Sequence, residues 1–181
     1  MLLCAVSFFV MGELIMIRQA KQEDIQAILD IMNFNILHST ALYYYNEQTY
    51  EQRLAWFEAK QQTTEPLFVF EVDGEVAGYA TYGPFRPHDA FGHTVEHSIY
   101  VDERFQRRGI ARQLMEALIQ YAQQAGDVKT MIGCIDAGNI GSIELHEKLG
   151  FTYSGTLKSV GYKFDTWLDL AMYQLYFPLK A

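Results

Sequence analysis

The chain has 181 residues, of which 50% are hydrophobic, and this size favours one domain with an ample core. Its formal net charge of −8 and its isoelectric point near 5.0 argue against a nucleic-acid surface and favour small-molecule partners. Two cysteines, Cys4 and Cys134, give neither a disulfide framework nor a metal-ligand spacing, so we expect no metal and a cytoplasmic location.

An apolar run from Leu2 to Met11 opens the chain. It is too short to cross a bilayer as a helix, and no Lys or Arg precedes it as in a signal peptide, so no membrane partner is predicted. We interpret residues 1–15 as an N-terminal extension outside the core, which comes from an upstream start choice or forms an appended strand or helix. Residues 16–181 are predicted to form a single domain.

Hydrophobic periodicity predicts a strand over Met16–Gln19 and then a helix from Gln22 onward. The apolar positions at helical spacing are Ile25, Ile28, Leu29, Met32 and Ile36. Thr49 and Gln52 form a capping-box pattern for a second helix that ends near Gln61.

The segment between these two helices is rich in tyrosine, with Tyr43, Tyr44 and Tyr45 in a row. Polar neighbours interrupt the helical pattern here, so we expect a loop. Its tyrosines either pack at the rim of the fold or cover a substrate pocket.

Leu67–Val72 and Glu75–Tyr82 are predicted strands, and Asp73-Gly74 between them is a strong hairpin signal. The prolines of the following segment, 83–88, are expected to prevent it from continuing the ladder. This segment would bring an arginine and a histidine close to the next strand.

A predicted strand over Thr94–Val101 is followed by a basic turn that ends at Gly109, and then by a helix with apolar residues at helical spacing. The backbone N–H groups and the positive dipole end of such a helix can hold the oxygens of a diphosphate. Glycine suits the turn because a β-carbon would keep the backbone away from the phosphate.

The remaining chain predicts a strand over Thr130–Ile135 and a helix over Asn139–Leu149, which Gly150 ends. Two final strands are predicted over Tyr153–Val160 and Trp167–Phe177. The order of elements indicates an α/β fold with a mixed sheet.

Two motifs resemble those of the GCN5-related N-acetyltransferases (GNAT). They are Gln106-Arg107-Arg108-Gly109-Ile110-Ala111 and the segment from Asn139 through His146-Glu147-Lys148 to Phe151. The resemblance implies the acyl-CoA N-acyltransferase fold, a mixed and mostly antiparallel sheet of about seven strands flanked by about four helices. It also implies acetyl-CoA as co-substrate, bound by Ile99, Tyr100, Val101, Arg107, Arg108, Gly109, Ile110, Ala111, Arg112 and Asn139.

Other segments are similar to the phosphinothricin and methionine sulfone or sulfoximine N-acetyltransferases. They are Gly83-Pro84-Phe85-Arg86, Thr94–Val101, and Val160-Gly161-Tyr162-Lys163-Phe164 with Trp167-Leu168-Asp169-Leu170. This resemblance implies transfer of acetyl to the α-amino group of a small amino-acid analogue, and a homodimer. The substrate contacts that it implies are Arg86, Pro87, His88, Glu96, His97 and Ser98.

Acetyl transfer to an amine requires a base for the substrate ammonium and an acid for the leaving thiolate. We assign these roles to Glu96 and His146. Glu96 could instead lie in a solvated salt bridge, and His146 could simply pack against the coenzyme. Two further functions stay open, acetylation of a peptide or protein amine and sensing of acyl-CoA without turnover.

Overall fold

The computed structural model describes residues 6–10 and 13–178, and residues 6–10 through their backbone alone. The chain forms two compact units. Unit 1 contains residues up to Phe34 together with Gln48–Tyr82 and Ser98–Tyr121. Unit 2 contains Asn35–Glu47, Gly83–His97 and the residues from Ala122 onward.

Four antiparallel strands pair in chain order in unit 1. They are β1 (Val6–Val10), β2 (Glu13–Gln19), β3 (Leu67–Val72) and β4 (Glu75–Pro84, whose last two residues lie in unit 2). Asp73 and Gly74 both have positive φ, 49° and 87°, as a two-residue hairpin turn with the twist of its strands requires. The predicted hairpin is therefore confirmed.

The predicted N-terminal extension contributes β1 and the first three residues of β2, and Ile15 is buried. The first predicted strand thus begins at Glu13 rather than Met16. Residues 1–5 and 11–12 of the extension lie outside the described residues.

The end of β4 corrects one prediction. Gly83 and Pro84 belong to the strand, although the prolines were expected to exclude them. Proline lacks only the donor N–H, and its fixed φ is compatible with an extended chain, so the last residue of a strand accepts it.

Helices α1 (Ile25–His38), α2 (Tyr50–Gln61) and α3 (Ile110–Ala125) follow the predicted periodicity, with one short 3-10 turn over Gln22–Asp24 before α1. The Thr49 hydroxyl accepts from the Gln52 N–H, and the Gln52 side-chain oxygen accepts from the Thr49 N–H. These two bonds confirm the capping box. A unit 1 core forms from α1, α2, β3 and β4 together with Ala20, and contains Ala20, Ile25, Ile28, Ile31, Phe57, Leu67, Val69, Val76 and Tyr79.

In unit 2, β5 (Thr94–Val101, which enters unit 1 at Ser98) runs parallel to β6 (Thr130–Asp136) over three residue pairs. Strand β8 (Thr166–Tyr176) pairs antiparallel with β6 and with β7 (Thr152–Lys163). Helix α4 (Ile140–Lys148) lies between β6 and β7 in the chain, and Gly150 follows it with a φ of 88°. The predicted order of helices and strands is confirmed, with β1 added.

Candidate active site

An exposed helix N-terminus in unit 1 occupies the predicted diphosphate position. The first backbone bond of α3 runs from the Gln113 N–H to the Gly109 carbonyl, at 3.2 Å. The N–H groups of Ile110, Ala111 and Arg112 therefore have no acceptor within the helix. Gly109 has a φ of 78°, and a β-carbon built on it would meet nothing within 4 Å, so the space before the helix is open.

Arginines surround this N-terminus, as predicted. Arg107 is exposed, Arg108 lies 3.2 Å from a Glu13 oxygen, and Arg112 lies 2.8 Å from a Glu116 oxygen. Exposed ion pairs of this kind contribute little, so their arginines can turn to a bound anion at small cost. The Ile110 side chain is buried, which leaves its backbone for binding, and Ala111 is half-buried.

The predicted pantetheine segment of β5, Ile99–Val101, is half-buried in unit 1, as is Ser98 before it. The rings of Tyr100 and Tyr79 lie 5.4 Å apart. A β-carbon on Gly78 would come 2.9 Å from the Tyr100 carbonyl, so glycine is required for this close approach.

Glu96 lies in unit 2 on the face of the sheet that also carries Cys134. It pairs with Ile132, and side chains two residues apart on a strand share a face. Glu96 and Cys134 therefore lie on neighbouring strands with their side chains on one face. Burial, and then the charge and hydrogen bond of Glu96, raise the pKa of Cys134 to about 12, while Arg86 opposes the change. Cys134 is therefore a protonated donor at neutral pH.

Arg86 extends from the exposed loop after β4 and is close enough to act on Cys134. Its Nη1 donates to the Phe85 carbonyl at 2.9 Å, and its guanidinium lies 4.2 Å from the centre of the Phe85 ring. No other hydrogen-bond partner of this guanidinium is found in the described part of the chain, so its remaining N–H groups can bind a ligand. Pro87 and His88 are exposed on the same loop, at the start of a short helix over Asp89–Phe91.

His97 points to the opposite face of β5 and forms a pair with His146. Their Nε2 atoms lie 2.9 Å apart, and their rings are stacked with centroids 4.9 Å apart. A β-carbon on Gly133 would lie 2.9 Å from both rings, so only glycine fits beneath them. The structure therefore brings together the two predicted histidines, on the face away from Glu96.

Hydrogen bonding fixes the proton positions of this pair. The His146 Nδ1 lies 2.6 Å from the Ser142 carbonyl, which can only accept, so His146 is protonated on Nδ1. In the neutral pair, His97 then donates from Nε2 to the His146 Nε2. The His97 Nδ1 is enclosed and finds no hydrogen-bond partner among the described residues.

Burial lowers the pKa of both histidines, and the charge of His146 adds to the effect on His97. The Ser142 carbonyl partly offsets the effect on His146. The pair is therefore neutral near pH 7, whereas the acid role predicted for His146 requires a proton to give to the thiolate. Its role as an acid stays a prediction that requires the buried pair to take up a proton.

Asn139 caps α4, because its side-chain oxygen accepts from the Ser142 N–H at 3.1 Å. Its exposed amide NH₂ group remains a donor for a coenzyme amide. Among the described residues, no group of three or more His, Cys, Asp or Glu could hold a metal. No helix in the described part of the chain is long and apolar enough to cross a membrane.

Sequence reasoning missed Cys134 beside Glu96, and it missed Lys163, which is buried against the tyrosine-rich loop. Strand alternation places a side chain on a face only once the pairing register is known. The parallel register of β5 and β6 has no local turn to reveal it, so no sequence signal identified Cys134.

Comparison with known proteins gives consistent matches. Residues 25–151 match the model of the acetyltransferase (GNAT) family. The L-methionine sulfoximine/L-methionine sulfone acetyltransferase of Salmonella typhimurium is 42% identical over 161 residues, which cover 88% of this chain and 92% of that protein.

Two solved structures are similar. An N-acetyltransferase from Staphylococcus aureus Mu50 has a TM-score of 0.88 and 53% sequence identity. The match covers 92% of this chain and 99% of the Staphylococcus aureus chain. A phosphinothricin acetyltransferase from Sinorhizobium meliloti, solved with acetyl-CoA, has a TM-score of 0.85 and 30% sequence identity. The match covers 88% of this chain and 86% of the Sinorhizobium meliloti chain. These matches confirm the predicted fold class.

The histidine pair generates a prediction about stability. Because burial lowers both pKa values below 6.5, the unfolded chain takes up protons that the folded chain excludes as the pH falls below about 6.5. The free energy of unfolding should therefore decrease from pH 7 to pH 5, by at most about 1.4 kcal/mol per pH unit for each histidine. His97→Gln should reduce this slope, as measured by urea unfolding at pH 7, 6 and 5.

Gln123→Asn, an exposed substitution that removes no titratable group, serves as the control and should have the same slope as the wild type. An undiminished slope in His97→Gln would show that the pair does not resist protonation.

Proposed function

Because this chain belongs to the acetyltransferase (GNAT) family, we propose that it transfers the acetyl group of acetyl-CoA to the α-amino group of a small amino-acid analogue. The relatives suggest methionine sulfoximine, methionine sulfone or phosphinothricin as substrates. The observation that carries the proposal is the placement of Glu96, Cys134 and Arg86 close together in unit 2.

The N-terminus of α3 fits the diphosphate of acetyl-CoA. Its open space at Gly109 and three N–H groups without helical acceptors form an anion site, and the arginines of the turn add positive charge. Ile99–Val101 would bind the pantetheine amides through their backbone, and Asn139 would do so through its amide. When bound, acetyl-CoA supplies the thioester from which acetyl is transferred.

Glu96 is the proposed base. An ammonium cannot attack a carbonyl, so the substrate must first lose a proton, and Glu96 accepts it directly or through a water. The new C–N bond then replaces the C–S bond, and the released thiolate takes up a proton. The Cys134 thiol, which stays protonated at neutral pH, lies on the same face of the sheet as this carboxylate.

Arg86 is the proposed partner of the substrate carboxylate, since a guanidinium matches a carboxylate with two parallel hydrogen bonds. Pro87 and His88 would shape the same loop around the substrate. Ser98 and His97 stay predicted substrate contacts, and His97 would have to act from the face opposite Glu96.

His146 stays the proposed proton donor to the departing thiolate. Its Nδ1–H is bonded to the Ser142 carbonyl, and its Nε2 faces His97, so the proton would have to enter through the pair. In a turnover assay, His146→Gln distinguishes this role from simple packing, because a packing residue leaves kcat almost unchanged.

We also propose a cytoplasmic homodimer. Five large hydrophobic side chains of β7, β8 and their turn are at least half exposed, namely Tyr153, Val160, Phe164, Trp167 and Tyr176. Exposed apolar residues in this number favour an interface with a second copy. Sedimentation velocity should give twice the mass of the chain, and Trp167→Asp should shift the protein toward monomer; a monomeric wild type at micromolar concentration would contradict the proposal.

A thiol-release assay tests the proposed function. The protein is mixed with acetyl-CoA and one of methionine sulfone, methionine sulfoximine, phosphinothricin or a set of peptides. We expect thiol release with at least one amino-acid analogue. Release with peptides alone would instead indicate a peptide acetyltransferase, and coenzyme binding without any release would indicate a sensing module.

Gly109→Asp should abolish acetyl-CoA binding, because it adds bulk and negative charge at the anion site. Calorimetry should show affinity reduced more than about 100-fold, since like charges oppose each other in place of a charge-assisted contact. Gly109→Asn adds nearly the same bulk without charge and should retain more affinity. Equal affinity in Gly109→Asp and the wild type would remove the helix N-terminus from the coenzyme site.

Glu96→Gln should reduce kcat by about 10²-fold or more, as expected for loss of a positioned base. The reduction should be largest at low pH, where almost all substrate amine is ammonium, and acetyl-CoA affinity should not change. Glu144→Gln, an exposed substitution on α4, is the control. A pH–rate curve identical to that of the wild type would exclude Glu96 as the base.

A further inference from the structure

We propose that Lys163 is a positioning residue that holds the aromatic loop, residues 39–47, as a wall of the amino-acid site. It would thereby determine affinity for the amino-acid substrate without affecting acetyl-CoA. The inference rests on the proposed function and concerns contacts within unit 2 alone.

Lys163 attaches the loop through its backbone. Its Nζ donates to the Ser39 carbonyl at 2.7 Å and to the Leu42 carbonyl at 2.6 Å. Lys163 is only 4% exposed, although lysine is among the residues that are rarely buried. Two carbonyls three residues apart in the chain can bind one ammonium only when the loop curves around it, so the cation fixes the curvature of the loop.

The charge balance around Lys163 supports a dedicated role. Among the described residues, no carboxylate lies within ion-pair distance of its Nζ, and the centre of the Phe164 ring is 5.0 Å from it. Burial lowers the pKa of Lys163. A buried cation held by carbonyl dipoles costs more than a neutral side chain of the same shape would. The retention of a buried ammonium at this position is explained if Lys163 serves to hold the loop.

The register of β7 places Lys163 beside Tyr43. Gly161 and Lys163 are two residues apart and share a face of the strand. A β-carbon on Gly161 would lie 2.8 Å from the Tyr43 ring, so the ring rests on the bare backbone of the strand. Lys163 and Gly161 thus fix the backbone of the loop and the ring of Tyr43 respectively.

The turn after Lys163 holds it in this register. Lys163 pairs with Thr166 across a two-residue turn, in which Phe164 and Asp165 have φ values of 51° and 56°. Left-handed conformations are unfavourable for residues other than glycine and persist where the surroundings enforce them.

Further contacts attach the loop on either side of Tyr43. The Thr40 hydroxyl donates to the Asp136 carboxylate, and the Tyr45 hydroxyl donates to the Tyr162 carbonyl at 2.6 Å. The segment is thereby fixed at both ends.

The loop position matters for Glu96 because the loop is attached to the face of the sheet that carries this residue. The Thr40 hydroxyl donates to the Asp136 carboxylate. Ile132, Cys134 and Asp136 alternate along β6 and share one face, and Glu96 pairs with Ile132 on that face. Burial raises the pKa of Tyr43, and the charges of Asp136 and Cys134 add to the effect. The loop would therefore form a side wall near the proposed base, and a shift of the loop would change the space for the substrate side chain.

The test is the steady-state kinetics of Lys163→Met, which keeps the apolar stem and removes the ammonium. We expect KM for the amino-acid analogue to rise about tenfold, since hydrogen bonds from a charged group are among the stronger ones. The value of kcat should stay within about threefold, and KM for acetyl-CoA should not change. A merely structural loss would affect both substrates.

Lys158→Met is the matched control, because Lys158 is an exposed lysine on the same strand that bonds Asp169 instead of the loop. It should leave both KM values unchanged. Gly161→Ala tests the ring contact independently, and should raise the amino-acid KM by displacing Tyr43.

The outcomes separate the two proposals. An active wild type with an unchanged amino-acid KM in folded Lys163→Met overturns this inference and leaves the proposed function standing. A wild type that releases no thiol with any amino-acid analogue overturns both. If circular dichroism shows that Lys163→Met does not fold, Gly161→Ala and Tyr45→Phe decide, and an unchanged amino-acid KM in both overturns the inference.

Discussion

The parallel pairing of β5 with β6 is the constraint on which the candidate site depends. Three residue pairs, from Thr94–Thr130 to Glu96–Ile132, fix the register of the two strands. The same register puts Glu96 on one face with Cys134, and His97 over Gly133 on the other. Because side chains alternate along a strand, a slip of one residue would exchange the two faces and separate the proposed base from Cys134.

Backbone carbonyls hold the buried polar groups of unit 2. Ser142 fixes the tautomer of His146, while Ser39 and Leu42 hold the ammonium of Lys163. A carbonyl partner brings no opposite charge, so the buried group keeps much of its desolvation cost and its pKa is lowered, as for His146 and Lys163. Such partners hold a group in place without neutralising it.

An acidic chain can still bind a polyanion where its charge is locally reversed. The net charge is −8, yet arginines cluster at the N-terminus of α3. Glu13 pairs with Arg108, and Glu116 pairs with Arg112. Since these pairs are exposed and weak, a diphosphate can replace the carboxylates, and the backbone N–H groups add donors that no side chain competes for.

Local sequence determined much of the fold. The helical spacing of apolar residues after Gly109 predicted one buried face of α3, and Ile110, Leu114, Ala117 and Leu118 are all buried. The Asp73-Gly74 turn and the Thr49 cap were equally local, and both were confirmed. The ends of strands were predicted less well. Strand β4 continues to Pro84, because a proline is compatible with the last position of a strand.

The sequence by itself determined the helices, the strands, the glycine-ended basic turn and the motifs that resemble a known family, because each depends on residues close together in the chain. Only the tertiary structure decided which side chains meet across long separations, such as Lys163 with Ser39 and His97 with His146. It also decided that the histidines are neutral, since a pKa follows from burial and partners that residue type alone does not specify.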